Sequence, residues 1–483
     1  MADKRVLIVD NTKGSVIILK NILTRLKVKR VDEAASYHVA MGLVESNYYD
    51  LIYCDVSLGD GLSGQQLLRD LRYLKLLPMK TVFIFVSSEQ SRDSVLGSIE
   101  AEPDGYIVKP FQIRNLETRT QRFIARNDKL KRLLEMLDKR DLKSAKKEIE
   151  KVEKIYQKLK PLAWNYMARA FFEAKEYGEA RRYFAEIQGI HKFHWATLGE
   201  ANCLVEQGYI DDAQEMFKSI LDSHPYAVPA IDGIARCNEI RGDKQQTLKE
   251  LERGIKMSPL SIYRQDKVVS VAHDINEYYV AAEAAKMSSE LADRTLLDSS
   301  ERRRKYIQCL RKQIENNPRD KHSYDIMKRA MEKVSKDMKL YPDDDGLRLN
   351  YALLSAIKNN KDNTYVYSYK KLNDIVENYA EHLEYHDENL YDVIIAYKRS
   401  SEVEEAYKVA NKVTDLAKQK RIERFKDCSD KGNKAYKKGK LKEALEQFRV
   451  INNDYPDAVS SNLNMAHVIC RLVKEDKDFK YDH

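Results

Sequence analysis

Glycine, proline and paired cysteines are scarce in this sequence. Only 17 glycines and 10 prolines occur among 483 residues, which argues against a β-sandwich and against a disordered linker protein. The six cysteines are scattered and form no Cys-x-x-Cys pair, so we expect free thiols in a reducing compartment and neither a disulfide framework nor a zinc finger. A chain of this length is too long for one hydrophobic core, so two or more domains are expected.

Long apolar segments and a strong charge bias are missing as well. No apolar run is long enough to span a bilayer, and the N-terminus lacks the charged-then-apolar layout of a secretory signal, so we expect a cytoplasmic protein without a membrane partner. The formal net charge of +8 is a small difference between 84 basic and 76 acidic residues. Such a balance permits nucleic-acid binding but does not predict it, because helices with mixed-sign surfaces give the same total.

The first 125 residues contain apolar runs in regular alternation with helical patterns. Each run is continuously apolar, which is typical of a strand that is covered on both faces by helices. The intervening segments Ser15–Leu26 and Gly64–Leu74 have helical periodicity. This order predicts a doubly wound α/β domain on a parallel sheet of about five strands, namely Arg5–Asp10, Lys29–Glu33, Asp50–Asp55, Thr81–Ser87 and Gly105–Lys109.

Polar residues stand at the carboxyl ends of four of these strands. They are Asp10 with Asn11, then Asp55, Ser87 and Lys109. Because functional groups of such sheets collect at the carboxyl ends of the strands, we expect these side chains to converge on one edge. Two carboxylates suit a hard divalent cation, and a lysine with a serine suits phosphoryl oxygens. Helix capping alone does not explain five polar groups at four strand ends.

The stretches VLIVDN, CDVSLGDGLSG, VSSEQ and GYIVKPF make residues 1–125 resemble the receiver domain of bacterial two-component response regulators. That family is a flavodoxin-like phospho-acceptor module. The resemblance implies that Asp55 accepts a phosphoryl group from a sensor histidine kinase or a phosphotransfer protein. It also implies that Asp10, Asp55 and the backbone carbonyl of Ser57 hold Mg²⁺.

The same resemblance assigns the remaining strand-end residues. Lys109 would pair with the acceptor and the phosphoryl group, and the Lys109–Pro110 peptide would be cis. Ser87 would move toward the bound phosphoryl group, and Tyr106 would rotate into the space that Ser87 leaves. No catalytic residue is expected beyond the acceptor site, so the protein is not expected to be an enzyme, apart from slow self-dephosphorylation.

Asn11 departs from the family pattern, which usually has a second acid at this position. An amide oxygen can coordinate Mg²⁺, but it brings no charge. One unit charge lost at about 4 Å is worth up to ~4 kcal/mol at an effective dielectric of 20, before compensation by water. We therefore expect Asn11 to be a weak metal ligand, in an acceptor that works but binds Mg²⁺ weakly.

Beyond residue 125 the strand signals vanish and a helical repeat pattern begins. Small residues at one slot, Ala145, Ala180, Ala213 and Thr247, are separated by 35, 33 and 34 residues. A large apolar residue follows each slot after four positions: Ile149, Phe184, Phe217 and Leu251. A period near 34 with these residue types resembles tetratricopeptide repeats, whose paired helices stack into a solenoid. The resemblance implies a groove that binds a protein or peptide ligand, an inference from fold analogy alone.

The predicted organisation therefore has four parts. Residues 1–125 form the receiver, 126–260 form tetratricopeptide-like repeats, and 261–420 form degenerate helical repeats of uncertain register. Residues 421–483 form a C-terminal tetratricopeptide repeat with a capping helix, which contains Gly432, Ala444 and Phe448 at the repeat positions.

Two clusters outside the receiver suggest other chemistry. One is a metal site in EHLEYHDE, for which a polar helix end is the favoured alternative: His382, Glu384, His386 and Glu388. The other is a basic segment, 301–312, for which a solvated helix face is favoured over a nucleic-acid patch: Arg302, Arg303, Arg304, Lys305, Arg311 and Lys312.

Three interpretations of function follow. The first is a response regulator of a phosphorelay that signals through protein–protein interaction, for example by modulating or inhibiting a sensor kinase's transfer to another regulator. Its receiver could also dimerise. The second is a phosphate-independent scaffold in which a pseudo-receiver serves as a docking domain. A nucleic-acid-binding regulator using the basic segment 301–312 ranks last, and it predicts steeply salt-dependent binding.

Overall fold

The computed structural model describes residues 2–59, 62–88, 101–110, 112–316, 321–342, 425–454 and 459–475, together with isolated positions between 344 and 355. The chain divides into two compact units, residues 1–313 and 314–483. Within the described part of the chain, no helix is both long and apolar enough to cross a membrane.

A five-stranded parallel sheet begins the first unit, and the predicted fold class is confirmed. The strand order is β2-β1-β3-β4-β5, and every neighbouring pair is parallel. The strands are β1 (Arg5–Val9), β2 (Arg30–Ala34), β3 (Leu51–Cys54), β4 (Val82–Ser87) and β5 (Gly105–Val108).

Helices cover both faces of this sheet, which explains why its strands are continuously apolar. In β1, Leu7 and Val9 pack into one hydrophobic layer, whereas Val6 and Ile8 pack into the opposite one. The described helices of this domain are α1 (Lys13–Arg25), α2 (Tyr37–Ser46), α3 (Gly64–Tyr73) and α4 (Ile113–Asp138). Helix α4 is continuous across residue 125, the predicted boundary of the domain, and it contributes to the sheet domain and to the first helical hairpin.

Antiparallel helical hairpins continue the first unit, as expected of an all-α solenoid. After α4 come α5 (Leu142–Ile155), α6 (Lys160–Glu173), α7 (Tyr177–Ile190), α8 (His194–Glu206), α9 (Ile210–Ser223), α10 (Val228–Ile240), α11 (Lys244–Met257), α12 (Ile262–Asp274), α13 (Tyr278–Ala292) and α14 (Ser300–Asn316).

The turn inside each hairpin contains one residue in the left-handed region. These residues are Arg140, Lys175, Gly208, Gly242 and Asn276, with φ between 57° and 85°. A left-handed residue just after a helix reverses the chain. The backbone N–H groups of the turn then donate hydrogen bonds to the last carbonyls of that helix. The recurrence of this turn shows that the same hairpin is built five times.

The small residues predicted from the repeat pattern are buried between helices. Ala145, Ala180 and Ala213 have no exposed surface, and Thr247 is also buried. The aromatic rings pack on glycines of the next hairpin: a Cβ added to Gly199 would lie 2.4 Å from the ring of Phe184. Gly233 and Phe217 form the equivalent contact one hairpin later.

Part of the basic segment 301–312 is buried, so its interpretation as a solvated helix face is wrong for those residues. Arg303 and Arg311 are 2% and 0% exposed. The guanidinium of Arg303 is neutralised by Asp293 and Asp298, which lie in the connection between α13 and α14. Helical periodicity does not indicate this burial, because the acids precede the helix and do not share a face with the arginines.

The second unit is described over α15 (Lys321–Asp337), the helical residues 425–437, α16 (Leu441–Asp454) and α17 (Val459–Glu475). Ala444 and Phe448 lie in its hydrophobic core, and Phe448 packs on Gly432 of the preceding helix. The predicted candidates His382, Glu384, His386 and Glu388 lie outside the described residues.

Candidate functional site

The residues that follow β1, β3 and β5 meet at one point. The ammonium Nζ of Lys109 lies 2.8 Å from Asp10 Oδ2 and 2.6 Å from Asp55 Oδ2. Both carboxylates are buried, at 4% and 7% exposure. The expected convergence of these three side chains is therefore present.

Extension of the backbone ladder beyond the strands holds these side chains in place. The Asp10 N–H donates to Ala34 O at 3.0 Å, and the Asp55 N–H donates to Val9 O at 2.8 Å. The Lys109 N–H donates to Ser87 O at 2.8 Å. Each functional residue is thus the first one past its strand, yet it is still tied to the neighbouring strand.

Backbone amides orient the second oxygen of each carboxylate. Asp10 Oδ1 accepts the Thr12 N–H at 2.7 Å, and Asp55 Oδ1 accepts the Ser57 N–H at 3.2 Å. The other oxygen of each carboxylate is left facing Lys109. This arrangement gathers two negative charges and one positive charge with fixed geometry in a largely buried space.

The local electrostatics keep Lys109 charged. Burial lowers the pKa of its ammonium, but hydrogen bonds and charge attraction from Asp10 and Asp55 outweigh burial and leave the pKa raised. The neighbouring thiol of Cys54 is fully buried, and burial raises its pKa well above the ordinary value. Cys54 is therefore a neutral packing residue beside the charged cluster.

The two residues expected to move on phosphorylation lie on the paired strands β4 and β5. Ser87 ends β4 with 1% exposure, and its carbonyl accepts the Lys109 N–H. The half-buried ring of Tyr106 meets Phe85 edge-on, with centroids 6.5 Å apart. The Lys109–Pro110 peptide is cis, as the sequence resemblance implied.

Comparison with known proteins points in the same direction as this geometry. A sequence profile described as "Response regulator receiver domain" matches residues 6–121. Over 125 residues the chain is 30% identical to the chemotaxis protein CheY of Pseudomonas aeruginosa, an alignment that covers 25% of this chain and 97% of that protein. This chain belongs to the response regulator receiver family.

Further relatives match the same quarter of the chain. The chemotaxis protein CheY-3 of Vibrio cholerae is 28% identical over 125 residues, which is 25% of this chain and 92% of that protein. A solved structure of a CheY-like receiver domain protein from Methanospirillum hungatei is 27% identical with a TM-score of 0.24, and the match covers 26% of this chain and 97% of that one.

Asn11 lies at the rim of the receiver site. Its side chain is exposed, and its Oδ1 accepts the Thr12 hydroxyl at 3.3 Å. Its amide nitrogen rests on Gly59, where an added Cβ would be only 2.1 Å away. Gly59 has a φ of 85°, a backbone conformation that favours glycine. Asn11 thus braces the loop that follows Asp55.

The receiver's oxygen donors fit a hard cation. Across the described residues, no group of three or more His, Cys, Asp and Glu side chains is placed to hold a metal ion. The candidate ligands at the receiver site are therefore two carboxylates and the Ser57 carbonyl. The bridge between Ser57 and Ser63 is formed by the hydrogen bonds Leu58 N–H to Leu62 O and Gly64 N–H to Val56 O, which do not use this carbonyl. All three are oxygen ligands of the kind that Mg²⁺ prefers, with water completing its octahedron.

Sequence reasoning missed two residues of the receiver site. A Cβ on Gly64 would lie 2.2 Å from the Asp55 carbonyl oxygen and 2.7 Å from Cys54 Sγ, so only glycine fits there. Gln66 completes a capping box with Ser63 at the start of α3. The spacing Ser63-x-x-Gln66 was a readable signal of the cap, but nothing nearby in the sequence indicated the close approach at Gly64.

Proposed function

We propose that this chain is a phosphorelay response regulator that accepts a phosphoryl group on Asp55 from a histidine kinase or a phosphotransfer protein. The observation that carries the proposal is the placement of Lys109 Nζ between Asp10 and Asp55, 2.8 and 2.6 Å from their carboxylates. The likeness to CheY proteins supports phosphoryl acceptance as the role of this domain.

Phosphoryl transfer needs positioning and charge neutralisation more than acid–base chemistry. An Asp55 oxygen attacks phosphorus, the bond from phosphorus to the donor imidazole nitrogen breaks, and the imidazole leaves with that electron pair. Lys109 offsets the repulsion between the Asp55 carboxylate and the incoming anion. The Ser57 N–H on Asp55 Oδ1 restricts rotation of the carboxylate before attack.

Bound Mg²⁺ would supply further positive charge to the phosphoryl oxygens. Asp10, Asp55 and the Ser57 carbonyl would hold the ion, with Asn11 as an uncharged and weaker contributor. Since the site has one carboxylate fewer than the family pattern, we expect weak Mg²⁺ affinity. The chain itself acts as a phospho-acceptor with at most slow self-dephosphorylation, and not as an enzyme on another substrate.

The output of the proposed regulator is protein binding by the helical repeats that follow residue 125, called the helical array here. The repeat period, the buried alanines and the ring-on-glycine contacts support a tetratricopeptide-like solenoid, a fold that presents extended binding surfaces. One concrete role is to modulate or inhibit a sensor kinase's transfer to another regulator. Dimerisation through the receiver is a further route for the signal.

Nucleic acid is disfavoured as the partner by the basic segment itself. Arg303 and Arg311 are buried, and Arg302 pairs with Asp266 at 2.8 Å. These side chains stabilise the array and do not form a continuous exposed basic face.

A phosphate-independent pseudo-receiver is the second candidate, and the substitution at Asn11 favours it. Here the receiver would dock on a partner without turning over phosphate. Titration of the protein with Mg²⁺ separates the two, because a pseudo-receiver predicts no binding.

Incubation with a phosphodonor and Mg²⁺ tests the proposed function. The wild-type protein should gain a hydroxylamine-labile phosphoryl group, as expected for an acyl phosphate, and Asp55→Asn should gain none. A pull-down that compares partners of wild type and Asp55→Asn would then identify the ligand of the array. Equal labelling of both proteins would contradict the assignment of Asp55.

A further inference from the structure

The side chain of Gln66 joins the receiver to the helical array. Its Oε1 accepts the Ser63 N–H at 2.6 Å, and its Nε2 donates to the Leu291 carbonyl at 2.6 Å. Leu291 belongs to the last turn of α13, 225 residues away in sequence. One amide therefore caps α3 and binds the array at the same time.

A second contact lies beside the first. The hydroxyl of Tyr37, on α2, donates to Asp70 Oδ2 of α3 at 2.6 Å, and both residues are buried. The backbone of Leu296 also lies near this hydroxyl. The α2–α3 face of the receiver thus lies against the end of α13 and the connection that follows it.

The other end of α3 reaches the array through Glu102. Arg72 Nη2 donates to the Glu102 carbonyl at 2.6 Å, and the Glu102 carboxylate pairs with Arg169 of α6. This pair is half exposed, so its contribution is small. The contacts of Gln66 and Tyr37 are the stronger link.

The start of α3 is in direct contact with the acceptor. Gly64, its first residue, packs so closely on the Asp55 carbonyl that no side chain fits between them. Any displacement of the Asp55 backbone toward Gly64 therefore also displaces the first turn of α3. Gln66 lies in that same turn, so its geometry depends on the acceptor loop.

The array segment at the other side of the contact, residues 291–299, is held to α14. Arg303 pairs with Asp293 and Asp298, and Arg302 donates to the Leu297 carbonyl. The boundary between the two units of the chain falls within α14, at Gln313. Residues 291–299 therefore precede the helix that leads into the second unit.

We propose that Gln66 is an intramolecular latch that holds residues 291–299 on the receiver while Asp55 is unmodified, and that phosphorylation of Asp55 releases them. This inference rests on the proposed function, since it requires a phosphoryl group on Asp55. The added group shifts the Asp55 backbone, and the close contact of Gly64 with the Asp55 carbonyl transmits that shift to the first turn of α3. A shift of that turn by about 1 Å lengthens the bond from Gln66 to Leu291 beyond hydrogen-bond range.

Linkage makes the effect reciprocal. A ligand that draws residues 291–299 away from the receiver favours the conformation in which Asp55 is phosphorylated, and the two effects have equal size. Binding of the array ligand and phosphorylation of Asp55 would thus each favour the other.

Hydrogen exchange of peptides from residues 286–299, in the full chain, tests the latch without phosphate. Gln66→Glu keeps an oxygen acceptor for the Ser63 N–H but places a carboxylate against the Leu291 carbonyl, so it breaks the latch and preserves the cap. We expect exchange to be roughly three- to tenfold faster there. Tyr73→Gln, at an exposed position of α3, should leave exchange unchanged. Unchanged exchange in Gln66→Glu would overturn the proposal, and Tyr37→Phe repeats the test if Gln66→Glu does not fold.

The same exchange measurement with a phosphodonor and Mg²⁺ tests the release. Intact mass records whether a phosphoryl group is present, and Asp55→Asn is the control. Faster exchange of residues 286–299 in the phosphorylated protein alone supports the latch. A phosphorylated protein with unchanged exchange overturns the latch and leaves the proposed function standing. A protein that gains no phosphate overturns the proposed function together with the inference built on it.

Discussion

Lys109 Nζ and Asp55 Oδ2 are 2.6 Å apart at the carboxyl edge of the sheet, and the same ammonium lies 2.8 Å from Asp10. One cation therefore balances two buried carboxylates that come from strands far apart in sequence. The arrangement links the stability of the domain to its proposed chemistry, because any change in the charge on Asp55 also changes the electrostatic environment of Lys109.

Replacement of Lys109 by Met should destabilise the receiver. The change leaves two buried carboxylates without a counter-charge, and we expect the free energy of unfolding to fall by about 3 kcal/mol, measured by urea denaturation. Lys13→Met, at an exposed position of α1, is the matched control and should change stability little. Adding Asp10→Asn to Lys109→Met should restore part of the loss. Full stability in Lys109→Met would mean that the ammonium does not balance the carboxylates.

Replacement of Asn11 by Asp should strengthen metal binding. The added carboxylate contributes one negative charge beside the site, and we expect Mg²⁺ affinity, measured by titration calorimetry, to rise roughly tenfold or more. Asn11→Ala, which removes the amide and adds no charge, should show no such gain. Equal affinity in wild type and Asn11→Asp would place residue 11 too far from the ion to act on it.

Much of the receiver site could be predicted because its determinants are local. Asp10, Asp55 and Lys109 each end a continuously apolar strand, and parallel topology brings those ends together. The contact between Asn11 and Gly59 was harder to predict from the sequence, because it depends on a loop conformation with positive φ.

Contacts between distant segments could not be predicted from local patterns. The bond from Gln66 to Leu291 depends on how the array returns to the receiver, and no periodicity encodes that path. The burial of Arg303 likewise depends on acids outside its own helix, Asp293 and Asp298. Pattern analysis assigns a charged residue to solvent unless a partner is near in sequence.

The pH dependence of stability should include a contribution from Cys203, a buried thiol of α8. Burial raises its pKa to about 12, whereas a free thiol in the unfolded chain has a pKa of about 8.5. The unfolded state therefore ionises first, so this contribution is complete below about pH 8.5 and is lost as pH rises toward 12. Between pH 8 and 9.5, stability should fall about 1 kcal/mol more in wild type than in Cys203→Ala, measured under reducing conditions. Parallel pH profiles of the two proteins would contradict this assignment.

The contact between Phe184 and Gly199 should be sensitive to a single methyl group. A Cβ at Gly199 would lie 2.4 Å from the ring, so Gly199→Ala should lower the free energy of unfolding by about 2 kcal/mol. Gly178→Ala is a suitable control in a neighbouring helix, where the nearest atom would be 3.9 Å from the new Cβ. That change should be neutral or stabilising, since alanine favours helix more than glycine does. Equal effects of the two substitutions would argue against the ring-on-glycine packing.

The most direct test of the central claim is to locate the modified residue after incubation with a phosphodonor and Mg²⁺, by peptide mapping of the intact chain. The account predicts one labile phosphoryl group on Asp55, greatly reduced in Asp10→Asn and Lys109→Met variants that remain folded. A phosphoryl group on any other residue, or full modification of Asp55 in both variants, would contradict it.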